Sequence, residues 1–336
     1  MKDQDILEIL KSKYQLSVTS IERIKGVYRV ETEENIYCLK IVNYNYPHFL
    51  FILQAINYLR DRGFYDTPEI KYTVEGRQYV QCEDKFAYLT NWLKGRECSY
   101  DNPIELSMAA RKLGELHNAS EGFEISNNME PRVGWLKWIE VYRTRKNEIL
   151  DFKYKIKDKK IKNNFDLKYD SLIEEELERC DKSIENLCSS NYEKKMLRDI
   201  KYGGFCHHDY ANHNVIINSQ GANIIDFDYC ILDSYLHDLA SLLLRAMKYD
   251  RWSEERFKTI LNAYRSVHRL DEEDIGIMIA FMEFPQDFWQ RGIQCYWENQ
   301  PWGEEFFLRK IKLYEEDRLI KQLFLDKVRN YDFNNL

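Results

Sequence analysis

The spacing of apolar residues in the first third of the chain predicts a mixture of helices and strands. Residues 3–14 predict an opening amphipathic helix. Two strand-like runs, GVYRVET and NIYCLKIV, are separated by Glu33 and Glu34 and predict a hairpin that ends near Val42. The run HFLFILQAINYLRDRG has helical spacing and stops at Gly63, a common signal for a helix C-terminus. The runs EIKYTV, RQYVQC and KFAYLTNW predict three more strands, so the expected order is helix, two strands, helix, three strands.

Beyond Gly95 the apolar spacing becomes mostly helical. A helix is predicted to begin at Asn102-Pro103, because proline is favoured at the first helical position. Its apolar stripe ends at His117, and residues 235–335 are helical by period and rich in aromatic side chains. The pattern therefore predicts an α+β protein in which strands come first and helices follow.

Composition narrows the class of protein. The 336 residues contain 44% hydrophobic and 31% charged residues, which is enough apolar material for a large core and excludes global disorder. The net charge is 49 − 56 = −7, so we expect no nucleic-acid partner. No apolar run is long enough for a membrane span, and the charged first residues lack a secretory h-region, so we expect an intracellular protein. The eight cysteines form no CxxC pair, which favours buried, reduced thiols.

Residues 205–230, FCHHDYANHNVIINSQGANIIDFDYC, carry the most informative chemistry. Two strand-like runs flank a turn centred on Gln220, and this centre predicts that paired positions sum to 440. Asn214 would then lie opposite Asp226, and Asp209 would lie on the loop just before the hairpin. An amide oxygen and a carboxylate at one end of a hairpin are suitable ligands for Mg²⁺. The pattern predicts a phosphoryl-transfer site in which Asn214 and Asp226 hold the metal and Asp209 is the catalytic base.

The same residues resemble a known superfamily. The spacing His207-x-Asp209-x4-Asn214, followed by Asp226-Phe227-Asp228, resembles the catalytic loop and metal-binding motif of protein-kinase-like enzymes. His208 stands where protein kinases have arginine, which makes the chain more similar to the aminoglycoside phosphotransferase and choline kinase branch. The resemblance implies ATP and Mg²⁺ as cofactors and a hydroxyl group as the phosphate acceptor.

That resemblance also assigns roles in the first third of the chain. Lys40, in YCLKIV, would be the phosphate-binding lysine, although on local sequence alone an exposed strand lysine is the simpler interpretation. The segment YLTNWLKGRE would be the hinge whose backbone meets adenine, which places Asn91 and Leu93 beside the base. The implied architecture is a two-lobed, kinase-like fold with an antiparallel-sheet N-lobe at residues 1–93 and a mostly helical C-lobe at residues 94–336. ATP would lie in the cleft between these lobes.

A closer resemblance covers nearly the whole chain. The runs CHHDYANHNVII and IIDFDYCILDSYLHDLASLLLR look like the CotS family of bacterial spore-coat proteins, and GVYRVET, NYLRDRGF and FPQDFW agree with it. This resemblance implies a role in spore-coat assembly, with spore-coat proteins as partners. It also implies a location in the mother-cell cytoplasm or the spore coat.

Two departures from the kinase pattern leave the enzyme assignment open. The first strands carry a single glycine, Gly26, where a glycine-rich loop would cover the phosphates. The helix after Lys40 has no acidic residue between Pro47 and Leu59, so Gln54 is the nearest polar substitute and Lys40 is expected to lack a carboxylate partner. The chain is therefore either an ATP-dependent kinase or a structural coat protein on a degenerate kinase fold.

A third interpretation and the acceptor site rest on weaker patterns. A metal-dependent hydrolase would use a set of histidines and aspartates: His207, His208, His213, Asp209 and His237-Asp238. The acceptor of a kinase could be an amine or a sugar held by late aromatic and acidic residues: Glu283, Asp287, Phe288, Trp289, Tyr296, Trp297 and Glu298. Helical core packing is the simpler interpretation of these aromatic residues.

Overall fold

The computed structural model describes residues 3–329 and contains two compact units. The first, here called the sheet unit, comprises the residues up to 99 together with 115–132 and 203–231. The second, the helical unit, comprises 100–114, 133–202 and the residues from 232 onward. The lobe boundary after residue 93 stays a prediction.

Within residues 3–329, two helices and eight strands lie entirely in the sheet unit. They are α1 (Asp3–Tyr14), β1 (Val18–Ile24), β2 (Val27–Thr32), β3 (Ile36–Val42), α2 (Tyr46–Asp61), β4 (Val80–Cys82), β5 (Lys85–Asn91), β6 (Arg96–Glu97), β7 (Val215–Asn218) and β8 (Gly221–Ile224). Five strands form an antiparallel sheet in the order β1-β2-β3-β5-β4, and the other three form a small sheet in the order β6-β7-β8.

The opening helix, the β2–β3 hairpin and the helix α2 confirm the sequence pattern, whereas the predicted order of strands is wrong. The structure has three strands before α2. The first of them, β1, was not predicted because it exposes most of its polar side chains and shows only weak alternation. The run EIKYTV is not a strand, since its backbone makes a single isolated bridge between Ile70 and Thr90.

The two faces of the large sheet bury different helices. Alternate residues of a strand point to opposite faces, so Leu39 and Leu89 face α1 while Lys40 and Tyr88 share the other face. The core under α1 is apolar: Ile6, Leu10, Tyr14, Val30, Leu39, Ala87 and Leu89. On the second face, Phe49 of α2 stacks on Phe86 at 4.8 Å. The same face therefore combines aromatic packing with one buried lysine.

The helical unit contains the remaining helices. They are α3 (Pro103–Ser120), whose last residues belong to the sheet unit, α4 (Trp138–Asp158), α5 (Asn164–Asp170), α6 (Ile173–Ser189), α7 (Tyr192–Tyr202), α8 (Tyr235–Met247), α9 (Glu254–Arg265), α10 (Glu272–Glu283), α11 (Gln286–Gly292) and α12 (Glu304–Arg329). The predicted helix start at Asn102-Pro103 is confirmed. Residues 330–335 of the predicted helical region lie outside the described residues.

Two further sequence expectations concern the membrane and the thiols. Among residues 3–329, no helix combines the length and apolar character that crossing a bilayer requires. All eight cysteines are free thiols, but they are not uniformly buried, because Cys188 is exposed and three others are half-buried. The absence of a disulfide framework in this part of the chain agrees with the sequence pattern.

Candidate active site

Lys40 lies at the centre of a buried cluster of charges in the sheet unit. It is paired with Tyr88 across β3 and β5, so both side chains leave the same face of the sheet. The Lys40 Nζ atom lies 2.6 Å from Asp226 Oδ1 and 2.8 Å from Asp228 Oδ1. The expectation that Lys40 lacks a carboxylate partner is therefore wrong. Its partners come from a segment 186 residues later in the chain instead of from helix α2.

The local backbone brings the two carboxylates to one lysine. Asp226 has φ +67° and ψ +69°, a left-handed conformation that Asp tolerates better than most residues, and a single 3₁₀ turn, Phe227–Tyr229, follows it. The side chain of Asp226 is 38% exposed, whereas that of Asp228 is only 10% exposed. Tyr88 Oη is 3.5 Å from Asp228 Oδ1. Asp228 is thus enclosed by protein, while Asp226 reaches the surface of the site.

The pKa shifts in the cluster follow from its burial and from its composition of one cation and two anions. Burial opposes the charged form of Lys40, but Asp228 and then Asp226 outweigh it and raise the pKa of the ammonium. Burial likewise opposes ionisation of Asp226, but Lys40 holds the pKa of this carboxyl below its usual value. The pKa of Asp228 is raised, because its burial outweighs Lys40 and because Asp226 is a neighbouring anion.

Asp209 and Asn214 meet in the loop before the β7–β8 hairpin. Asn214 Nδ2 donates to the Asp209 carbonyl oxygen at 2.9 Å and to Asp209 Oδ2 at 3.2 Å. The amide group is buried, and among residues 3–329 its Oδ1 accepts no hydrogen bond. Asn214 therefore orients Asp209 with its nitrogen and keeps an oxygen for another ligand.

The register of the hairpin differs from the sequence prediction by one residue. Val215 pairs with Ile224 and Ile216 with Asn223, so paired positions sum to 439 instead of 440. The turn is tighter than expected, because Asn218 Oδ1 accepts the N–H of Gln220 and closes a two-residue loop. Asn214 consequently faces Ile225, whose N–H donates to the Asn214 carbonyl at 3.0 Å, and the predicted pairing of Asn214 with Asp226 is wrong.

Ile225 also links the hairpin to the buried histidine of the motif. His207 Nε2 lies 2.9 Å from the Ile225 carbonyl oxygen, and the His207 ring packs on Phe227 at 5.0 Å. His213 is exposed on the 3₁₀ turn Asn212–Asn214. The arrangement of His207 is that of a side chain supporting the segment before Asp226, and it does not favour the hydrolase interpretation.

The segment predicted to meet adenine lies between β5 and β6. Trp92 N–H donates to the Ile36 carbonyl at 3.0 Å, and β6 pairs with β7 through Arg96 and Ile217. Asn91 N–H and Nδ2 donate to Glu69, so this residue is already engaged. The backbone of Leu93 makes no hydrogen bond to another residue in the described range 3–329. Of the two predicted residues, Leu93 is the one with backbone groups available to a ligand.

Close approach of backbones explains the glycine in this segment. A Cβ atom at Gly95 would lie 2.6 Å from the Ile217 carbonyl oxygen, which no real side chain tolerates. Asn91 lies three positions after Tyr88 on β5, which corresponds to about 10 Å along the strand. Lys40 pairs with Tyr88 within β5 and Leu93 follows the end of that strand, so both residues belong to the sheet unit.

The late aromatic residues divide into core and surface. Phe288 and Tyr296 are buried, and Phe288 stacks on Tyr169 at 4.0 Å. Trp297 is 46% exposed, but its Nε1 donates to Asp151 at 2.8 Å. Arg145 covers the ring of Trp289 at 4.3 Å. Most of these rings are thus structural, as the simpler interpretation holds, and the acceptor site stays a prediction.

The structure combines an antiparallel sheet with helices that follow it. A lysine on the sheet contacts the acids of an Asp-Phe-Asp motif, and an Asp–Asn pair lies on the loop before that motif. This arrangement is typical of the kinase-like phosphotransferases. The chain belongs to the phosphotransferase enzyme family, whose model matches residues 22–274. This confirms the predicted fold class and the aminoglycoside phosphotransferase group.

Individual relatives agree with this assignment. Spore coat protein S of Bacillus subtilis is 24% identical over 309 residues, which cover 90% of this chain and 87% of that protein. An aminoglycoside phosphotransferase from Alicyclobacillus acidocaldarius superposes with a TM-score of 0.83 at 19% identity and covers 95% of this chain and 93% of its own. An amicoumacin kinase solved with AMP-PNP and Ca²⁺ superposes with a TM-score of 0.69 at 15% identity, covering 100% and 97% of the two chains.

Proposed function

We propose that the protein is an ATP- and Mg²⁺-dependent phosphotransferase that transfers the γ-phosphoryl group to a hydroxyl of a small molecule or a protein. The observation that carries the proposal is the pairing of Lys40 with Asp226 and Asp228, next to a loop on which Asn214 orients Asp209. A structural strand lysine does not require two carboxylates, one of them buried, because burying charge costs stability.

Each residue has a role that its surroundings allow. Lys40 binds the nucleotide phosphates, and the backbone of Leu93 binds the edge of adenine, with Asn91 fixing the end of β5 beneath it. Asp226 and Asn214 offer a carboxylate and an amide oxygen, the hard oxygen ligands that suit Mg²⁺. The metal, when bound, neutralises charge that develops on the phosphates.

The reaction needs one positioned carboxylate besides the nucleotide site. The acceptor hydroxyl donates a hydrogen bond to Asp209 while its oxygen attacks the γ-phosphorus. The bond from that phosphorus to the β-bridging oxygen breaks, the proton passes to the Asp209 carboxylate, and ADP leaves. Asn214 keeps the carboxylate aimed through its contact with Asp209 Oδ2 at 3.2 Å.

Calorimetric titration with ATP, with and without Mg²⁺, tests the nucleotide site. We expect Mg²⁺ to tighten binding in the wild-type protein and Asp226→Asn to lose this increment while keeping the fold. Asp84→Asn is the matched control, because it removes one carboxylate from the exposed β4–β5 turn of the same unit. Equal Mg²⁺-dependent binding by the Asp226 variant would refute the metal assignment.

Asp209→Asn tests catalysis separately from binding. The substitution keeps the shape of the side chain and removes its charge, so nucleotide affinity should stay while phosphate transfer falls by about 10²- to 10⁴-fold. The assay follows labelled phosphate from ATP into cell extract, sugars, amines and spore-coat proteins. Equal transfer by the variant and the wild type would disprove the role of Asp209.

A specific observation favours a second candidate, a catalytically inactive coat-assembly protein. The relative spore coat protein S matches 90% of the chain, and the β1–β2 turn carries only Gly26 where a phosphate-covering loop would be. Such a protein would act beside coat proteins in the mother cell or in the spore coat. Wild-type protein that binds nucleotide without transferring phosphate would support it, provided that sporulating cells with Asp209→Asn build a normal coat.

A further inference from the structure

The two aspartates that contact Lys40 differ in solvent exposure, and this difference determines which of them can bind a further ligand. Asp228 is enclosed, with its Oδ1 facing both Lys40 Nζ at 2.8 Å and Tyr88 Oη at 3.5 Å. Asp226 touches the same lysine at 2.6 Å but remains 38% exposed. A hydrated metal needs an accessible carboxylate, because Mg²⁺ keeps several waters when it binds.

Helix α2 offers no alternative partner for the lysine. It has no acidic side chain in its first turn, and no aspartate or glutamate occurs between Pro47 and Leu59. His48, in the first turn of α2, lies against the backbone of Asp228, and burial holds the pKa of this imidazole below its usual value. The helix thus packs on the segment that carries the acid instead of supplying one.

We propose that Asp228 is the positioning residue for Lys40, and that it replaces the helix carboxylate while Asp226 is left to the metal. This inference rests on the proposed function of the same site. With Asp226 committed to a divalent cation, Asp228 would still hold Lys40 Nζ and orient it toward the phosphates. Lys40 is then never left as a buried cation without a partner.

The sign of the effect on nucleotide binding separates this role from simple electrostatics. Removing a negative charge near a phosphate site should tighten binding of an anionic ligand if charge alone matters. Losing the partner that orients Lys40 should instead weaken it. For Asp228→Asn we expect ATP affinity to fall about tenfold or more, both with and without Mg²⁺, since a hydrogen bond to a charged group is worth about 1.5–3 kcal/mol. Asp226→Asn should lose only the Mg²⁺-dependent part.

Four variants complete the titration experiment. Asp84→Asn is the charge-matched control and should bind ATP as the wild type does. Asp228→Glu keeps a carboxylate and should restore part of the affinity. Tyr88→Phe removes the hydroxyl that faces Asp228 and serves as the alternative variant if Asp228→Asn does not fold. We expect a two- to threefold loss of ATP affinity in Tyr88→Phe, with Tyr79→Phe as the matched control. Unchanged or tighter binding by folded Asp228→Asn overturns the proposal, and so does an unchanged affinity in Tyr88→Phe.

A second readout needs no nucleotide and so distinguishes failure of this inference from failure of the proposed function. Acylation of Lys40 by an amine-reactive reagent, followed by mass spectrometry at fixed pH, reports how firmly carboxylates hold its ammonium. Labelling should increase severalfold in Asp228→Asn and stay at the wild-type level in Asp84→Asn. Wild-type protein that binds no ATP refutes the proposed function alone, whereas equal labelling of Lys40 in both variants refutes the pairing itself.

Discussion

Each unit of the molecule holds one lysine between two aspartates, yet the two clusters differ in exposure. In the sheet unit, Lys40 lies between Asp226 and Asp228 at 2.6 and 2.8 Å. In the helical unit, Lys195 lies between Asp199 and Asp274 at 3.2 and 3.4 Å. The side chain of Lys195 is 2% exposed and that of Asp274 is 0% exposed.

The partners of the acids explain the difference. In the helical unit, Tyr235 accepts from Lys195 Nζ at 2.7 Å and donates to Asp274 Oδ2 at 2.8 Å, and Asp274 also accepts the backbone N–H of Asp271. This cluster binds helices together and caps α10. In the sheet unit, by contrast, Asp226 keeps an exposed carboxylate. Identical charges serve architecture where protein groups enclose both carboxylates, and they are suited to chemistry where one carboxylate remains accessible.

The largest expected effect on stability comes from the cluster of Lys195, Asp199 and Asp274 in the helical unit. Lys195→Met should lower the free energy of unfolding by about 3–5 kcal/mol, because it removes the buried cation that lies between Asp199 and Asp274 and, among residues 3–329, leaves only Arg198, 3.8 Å from Asp274. ATP affinity of the folded variant should stay at the wild-type level. Urea unfolding measures the change, and Lys194→Met, on the exposed side of α7, is the control. A loss below about 1 kcal/mol would show that this cluster is not structural.

Tyr235 should matter next, since its hydroxyl bridges both charges. Tyr235→Phe removes a hydrogen bond to an ammonium and one to a carboxylate, so we expect a loss of about 2 kcal/mol in the free energy of unfolding. Tyr202→Phe changes an exposed ring on α7 and should be neutral. If both variants unfold alike, the bridge contributes nothing measurable.

The pH dependence of stability should depend on Asp274. Burial raises the pKa of this carboxyl despite Lys195, so the native state binds its proton more tightly than the unfolded chain does. The stability contributed by the protonated group is complete below the unfolded value of 3.8 and is lost as pH rises through the folded pKa. Free energies of unfolding measured from pH 4 upward should fall more in the wild type than in Asp274→Asn. Parallel pH profiles would contradict this assignment.

The smallest effect on stability is expected at the cluster of Lys40, Asp226 and Asp228 in the sheet unit. Tyr88→Phe removes a hydroxyl that lies 3.5 Å from Asp228, at the outer limit for a hydrogen bond. We expect the free energy of unfolding to change by less than about 1 kcal/mol, in the same urea experiment that shows the larger loss for Tyr235→Phe. A loss as large as that of Tyr235→Phe would remove the contrast between the two clusters.

Local patterns predicted much of this fold because local physics determines those parts. The period of apolar residues identified α1 and α2, and Pro103 marked the start of α3. The strand β1 was missed because most of its side chains are exposed and polar. The hairpin register was wrong by one residue, since the sequence alone did not distinguish a two-residue loop from a three-residue loop.

Only those parts of the candidate site that lie within short sequence motifs could be predicted. The motif placed Asp209 on the loop five positions before Asn214, and the structure adds a contact between the two side chains that the motif did not predict. The partner of Lys40 was expected on α2, whereas the structure pairs Lys40 with Asp226, 186 residues away along the chain, and with Asp228. Asp228 was part of the quoted Asp-Phe-Asp motif, and its charge was the signal that could have identified it as that partner.

The left-handed backbone of Asp226 restricts how this site could be lost over time. Asparagine and glycine adopt such a conformation readily, whereas most other residues would strain the turn that leads to Phe227. Both replacements arise from an aspartate codon by a single base change, and both remove the charge without disturbing the backbone. We therefore expect descendants that abandon phosphate transfer to carry Asn or Gly here and to keep the fold. A mutational library selected only for folding, and sequenced at this codon, would show whether that route is open.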